Sequence, residues 1–133
     1  MTVAALDTWH RLVRTNDAPG LRDLVAEDAV FHSPVVHAAQ PGRKLTVMYL
    51  SAAFRVFFNP SFRYVREIVG ANDATLEFET EIDGILVNGV DIIRWNADGG
   101  IVDFKVMIRP LKGINIIHRK MGEMLAAAQA ARA

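Results

Sequence analysis

The sequence predicts an α+β fold: a curved, mainly antiparallel sheet wrapped by N-terminal helices, with an extra C-terminal helix. Three observations carry that prediction. Apolar residues recur at helical spacing through the opening third, alternate at period two from Leu76 to Ile82, and return to helical spacing after Pro110. Helices first and hairpin-linked strands afterwards is the order of an α+β domain. A strongly curved sheet closing on its helices would form a cone-shaped α+β barrel with one open end.

Each element has its own signal. Leu6, Trp9/His10 and Val13 share one face of a first helix. Asn16-Asp17-Ala18-Pro19 stops it and starts a second, with Asp17 as N-cap and Pro19 in the first turn. Leu21, Leu24 and Val25 give that short helix its apolar side, and Val30 to Val36 reads as a strand limited by Pro34. After a turn at Pro41-Gly42, Leu45, Met48/Tyr49, Ala52 and Val56 form the stripe of a third helix, which Asn59-Pro60 ends. Phe62 to Val69 adds a strand. Leu76, Phe78, Thr80 and Ile82 then alternate with Glu77, Glu79 and Glu81, a ribbon with one wet face. Asp83-Gly84 is a hairpin turn into Ile85 to Trp95, and Asn96 to Gly100 leads into Ile101 to Ile108. Leu111, Ile114, Ile117/His118, Met121 and Met124/Leu125 mark the tail helix; the stripe should dock, whereas Ala126 to Ala133 has little to bury and should fray.

Length and composition set the outer limits. A chain of 133 residues with 51% hydrophobic content is expected to form one domain, residues 1–133. Fifteen Lys and Arg balance fifteen Asp and Glu, which speaks against a nucleic-acid or anionic-membrane partner. The absence of cysteine excludes disulfides, thiolate nucleophiles and cysteine-held metal centres. Met1 to Leu12 holds no apolar run like a signal segment, and no stretch approaches the ~18 apolar residues of a membrane span, so a cytoplasmic location is expected.

Two segments resemble a known superfamily. Asn16-Asp17, continuing to Ala26-Glu27-Asp28-Ala29-Val30-Phe31-His32-Ser33-Pro34, and Gly89-Val90-Asp91-Ile92-Ile93-Arg94-Trp95, followed by Asp98-Gly99-Gly100-Ile101, are similar to the nuclear transport factor 2-like superfamily. That superfamily includes SnoaL-like proteins and ketosteroid isomerases. The element order fits nearly the whole chain, although the tail helix exceeds the isomerase pattern. Because the superfamily holds enzymes, pocket proteins and transport adaptors, the resemblance implies a fold and leaves the function open.

Asp91 is the most informative residue. Val87, Gly89, Ile93 and Trp95 share its side of the strand, so its carboxyl should be neutralised or partnered. In the isomerases an Asp at the matching position stays protonated and donates to a developing oxyanion. The plainer alternative is an Asp that satisfies backbone donors or a helix end. Of the isomerase's other groups, the general base would fall at Ser33 and the phenolic donor at Trp9, which argues against ketosteroid isomerisation. The superfamily's epoxide-hydrolase pattern of an Arg between two carboxylates is not completed by Phe104 to Pro110. The expected pocket places Asp91 as acid or hydrogen-bond donor, with Trp9 and Ser33 as polar contacts. Phe31, Tyr49, Phe78, Ile93 and Phe104 are its apolar walls.

Histidine chemistry is the other candidate. A His32 base beside Ser33 is chemically reasonable. Strand alternation, however, turns His32 away if Phe31 and Ser33 face inward. His32 and His37 lack metal-ligand spacing, and neither a metal nor a cofactor is implied. On the outer sheet face, Glu77, Glu79 and Glu81 opposite Arg63, Arg66, Lys105 and Arg109 form either cross-strand ladders in a homodimer or a solvated charged surface. Three readings stand: an isomerase, cyclase or hydratase acting on an apolar metabolite, a non-catalytic binder of an apolar small molecule, or an adaptor using the sheet face.

Overall fold

The first apolar stripe folds as α1, Ala4–Thr15, in a computed structural model that describes residues 3–131. Asn16 ends α1 in the left-handed region at φ 52°, and its N–H returns to the Leu12 and Val13 carbonyls. Asp17 accepts a hydrogen bond from the Gly20 N–H at 3.2 Å, capping a short 3₁₀ turn at Ala18–Gly20. Helix α2, Leu21–Leu24, is a single turn, and β1, Val25–His32, follows at once.

This strand begins and ends earlier than its sequence pattern suggests. A register shift between Val25 and Val30 interrupts the alternation, and exposed Glu27 and Asp28 sit within it. Pro41, expected in a turn, pairs instead in the two-residue β2, Gln40–Pro41, against Val30 and Phe31. Helix α3, Arg43–Phe57, turns Leu50, Phe54 and Phe57 into the core.

The remaining strands are β3, Arg63–Val69; β4, Asp73–Ile82; β5, Ile85–Trp95; and β6, Ile101–Arg109. Sheet order is β2-β1-β6-β5-β4-β3. Every neighbouring pair is antiparallel except β1 with β6, which run parallel. Edge strands β2 and β3 do not pair with each other, so the sheet is an open wall and the barrel does not close. Asp83 and Gly84, at φ 51° and 79°, supply the two positive angles of a tight hairpin between β4 and β5. Ala74, Leu76, Phe78, Thr80 and Ile82 are buried along β4, and Val87, Gly89, Asp91, Ile93 and Trp95 along β5.

Helix α4, Leu111–Ala131, docks against α3, β5 and β6. Its buried stripe runs through Gly113, Ile116 and Ile117, whereas Ile114, Met121 and Leu125 are half-buried. Leu111 is 72% exposed, so the docking face is rotated from the expected one. The helix also continues through the alanine-rich stretch expected to fray, consistent with alanine's helix propensity. Arg132 and Ala133 lie outside the described residues. Among the described residues, no helix is long and apolar enough to cross a membrane.

Candidate functional site

Strand alternation carries Asp91 to the inner face of β5, where its residue exposure is only 6%. The phenol that meets it comes from β3. A register shift between Tyr64 and Arg66 leaves Tyr64 paired with Phe78. The Tyr64 hydroxyl reaches past β4 to donate to Asp91 Oδ2 at 2.7 Å. Trp9 Nε1 in turn donates to Tyr64 Oη at 2.9 Å. Trp9 from α1, Tyr64 from β3 and Asp91 from β5 thus form a directed chain of donors ending on one carboxyl oxygen.

Burial dominates the electrostatics of this chain. It pushes the Asp91 carboxyl up to about 7, although the Tyr64 hydrogen bond pulls the other way. Burial first, then the charge of Asp91, drives the Tyr64 phenol well above its usual range, so it stays a donor at neutral pH. Asp91 Oδ1 has no hydrogen-bond partner among the described residues, and it is not among the buried side-chain atoms left unsatisfied. Asp91 lines the inner cavity, and a protonated carboxyl there has a donor that no described protein group takes up.

The expected pocket residues divide between two hollows. Asp91, Trp9, Phe78 and Phe104 line a narrow inner cavity of about 20 Å³. Phe31, Ser33 and Tyr49 line a wider cavity of about 180 Å³, closed on one side by Ile117, His118 and Met121 of α4. Ala53, Phe57 and Val106 belong to both and form their shared wall. Phe31 and Tyr49 stack at 5.1 Å with their planes 11° apart. Ile93 lies in the buried core and lines neither cavity. Trp9 is 2% exposed, and its indole N–H is committed to Tyr64.

Two local details shape the site. The Phe78 ring packs directly on Gly89, where a Cβ would stand 2.6 Å from Phe78 Cζ. Ser33 Oγ accepts from the Val35 N–H at 3.2 Å and stabilises the turn after β1. Tyr64 was not among the residues the sequence singled out. Its available signal was its place on the inner side of a strand, together with the need of a buried Asp91 for a donor.

Elsewhere the polar groups pair locally. His32 Nε2 lies 3.1 Å from Asp103 Oδ2 on β6. Across the outer sheet face, Arg63 pairs with Glu79 at 2.8 Å and Arg66 with Glu77 at 3.3 Å. Arg109 reaches Glu77 through Asn88, whereas Glu81 and Lys105 form no ion pair among the described residues. The described residues contain no cluster of three or more metal-ligating His, Asp or Glu side chains.

Comparison with known proteins places this geometry in context. The family model described as a SnoaL-like domain matches residues 6–104, which include both segments that carry the sequence resemblance. A steroid delta-isomerase from Pseudomonas aeruginosa is 37% identical, with 96% of this chain and 93% of that chain covered and a TM-score of 0.90. A cystatin-like-fold protein from Silicibacter pomeroyi is 28% identical over 96% and 86% of the two chains, with a TM-score of 0.81. An NTF2-like protein from Mesorhizobium loti is 25% identical over 80% and 89%, with a TM-score of 0.69. None of the curated proteins compared with the chain matches it.

Proposed function

The chain belongs to the SnoaL-like domain family, and from that premise we propose an acid-assisted isomerase, cyclase or hydratase acting on an apolar metabolite with a carbonyl oxygen. Asp91 Oδ1–H donates to that oxygen as negative charge develops on it. Tyr64, held by Trp9, steadies the carboxyl through Oδ2. A preoriented donor in water-poor surroundings stabilises an enolate more than a ground-state ketone, which is the differential binding that accelerates a reaction. The observation that carries this reading is a buried carboxyl on a cavity wall, with one oxygen held by a phenol and the other without a described partner.

Likeness to the Pseudomonas protein, described as a steroid delta-isomerase, supports a ring ketone as the ligand class. The wider cavity, at about 180 Å³, lies below the ~300–1,000 Å³ of drug-sized sites and favours a compact ring system over a full steroid. The carbonyl of such a ligand reaches Asp91 only if the shared wall of Ala53, Phe57 and Val106 gives way. Ser33 offers a hydroxyl where the isomerase pattern has a carboxylate, which weakens abstraction of a carbon-bound proton. That substitution also supports the second reading, a pocket that binds its metabolite without turnover.

The test is a panel of cyclic enones and 3-ketosteroids offered to the protein and to Asp91→Asn, with binding and product formation measured separately. Asp91→Asn keeps the shape and a donor but not the acid, so binding persists and turnover is lost. Equal turnover by both proteins overturns the catalytic role of Asp91. Equal binding with no turnover by either establishes the binding-protein reading.

A further inference from the structure

A larger hollow lies away from Asp91. Helices α3 and α4 enclose a groove of about 800 Å³, which is joined at one end by α2 and β1. Its α3 wall is one helical stripe: Lys44, Val47, Met48, Ser51, Ala52 and Arg55. These follow the spacing i, i+3, i+4, i+7, i+8, i+11, so they fall on a single face. Lys44 and Arg55 bracket that face, eleven positions apart, or about 16 Å along the axis. Between them the surface is apolar or small, and Met124, Leu125 and Ala128 of α4 face it.

Charge is unevenly distributed around this groove. Arg22 and Arg43 join Lys44 among the lining residues, with Arg55 towards the C-terminal end of α3 and Glu27 as the sole carboxylate in the lining. The groove therefore holds four of the fifteen cations but one of the fifteen carboxylates, leaving eleven cations against fourteen carboxylates elsewhere. None of those four cations forms a salt bridge among the described residues, although seven such pairs exist elsewhere. Arg43 is also oriented: its Nε donates to the Val25 carbonyl at 2.8 Å, which leaves its terminal nitrogens for another acceptor.

We propose that this groove binds a linear anionic amphiphile, with its aliphatic chain along the α3 stripe and a carboxylate or phosphate head at Arg22, Arg43 and Lys44. An elongated apolar floor with cations at its ends complements both parts of such a ligand. The head pairs with cations that form no salt bridge among the described residues, and the tail covers Val47, Met48 and Leu125. This groove shares no lining residue with the Asp91 cavity and only Leu125 with the wider one, and its occupancy does not depend on the reaction proposed for Asp91.

The test compares dodecanoate, dodecyl phosphate, dodecanol and inorganic phosphate by calorimetry on the full chain. Dodecanoate and dodecyl phosphate are expected to bind at least tenfold more tightly than dodecanol, and inorganic phosphate to bind weakly or not at all. The ratio between the two anionic amphiphiles identifies the preferred head. Arg22→Gln with Lys44→Gln should weaken the anionic amphiphiles at least tenfold and leave dodecanol unchanged. Ser51→Trp, which fills the groove from its α3 wall, should abolish binding, while Asp91→Asn should not alter it. Circular dichroism confirms that the variants are folded. Failure of both anionic amphiphiles to bind overturns the proposal, as does equal binding of dodecanol. Binding lost in Asp91→Asn but kept in Ser51→Trp assigns the amphiphile to the Asp91 cavity and also overturns it.

Discussion

Replacing Asp91 with Asn should change the pH dependence of stability in a direction opposite to that of most carboxylates. An unfolded Asp titrates near 3.8, whereas the folded Asp91 carboxyl is held up to about 7 by burial. Between those values the folded chain keeps a proton that the unfolded chain has lost, so rising pH favours unfolding. With at most 1.36 kcal/mol per pH unit, the Asp91 contribution becomes less favourable by ~3 kcal/mol between about pH 4.5 and pH 8. The amide introduced by Asp91→Asn has no such titration, yet it retains an oxygen that can accept from Tyr64. The assay is urea unfolding of both proteins across this range, with the difference between them taken at each pH to cancel the other titrating groups. The wild-type protein should lose stability relative to the variant as pH rises, with the loss levelling off above about pH 7. A flat difference, or a wild-type advantage that grows with pH, refutes a buried neutral acid.

Three further outcomes follow from the packing. Tyr64→Phe removes both the donor to Asp91 and the acceptor of Trp9 Nε1. The orphaned indole N–H costs about 1–3 kcal/mol, and the Asp91 titration moves higher still; urea unfolding at pH 6 and pH 8 measures both effects. On the outer sheet face, Ile68 and Met107 are 63% and 52% exposed beside the Arg–Glu pairs, the kind of apolar surface a second copy covers. Sedimentation should show a dimer at micromolar concentration and a monomer after Met107→Asp; a wild-type monomer removes the homodimer reading. Truncation after Leu125 should leave the melting temperature nearly unchanged. Truncation before Leu111 strips Ile116 and Ile117 from the core at about 1.5–3 kcal/mol each, and the product should aggregate.

Regular alternation was the legible part of the sequence. From Leu76 to Ile82 and from Ile85 to Trp95 every inward residue could be read from period two, which is how Asp91 was placed on the inner face. The start of β1 was hidden because its parallel partner is distant in the chain and its register shifts between Val25 and Val30. The face of α4 was misread by a fraction of a turn, since Leu111 is apolar yet stands beyond the last strand with little to cover it. Tyr64 escaped for a different reason: its function depends on reaching past β4, a relation between three strands that no local spacing encodes. The candidate pocket residues likewise looked like one set, but Phe57 and Val106 stand between the part near Asp91 and the part near Ser33.

The most direct test of the proposed acid is the carbonyl stretching frequency of a carbon-13-labelled cyclic enone bound to the protein, recorded by infrared difference spectroscopy. Donation from Asp91 Oδ1–H weakens the C=O bond, so the bound band should fall below its position in an apolar solvent. The displacement should disappear in Asp91→Leu and fade as pH rises through about 7, where the carboxyl loses its proton. A bound band that is unchanged by Asp91→Leu, and constant across that pH range, would contradict donation from Asp91 to the ligand oxygen.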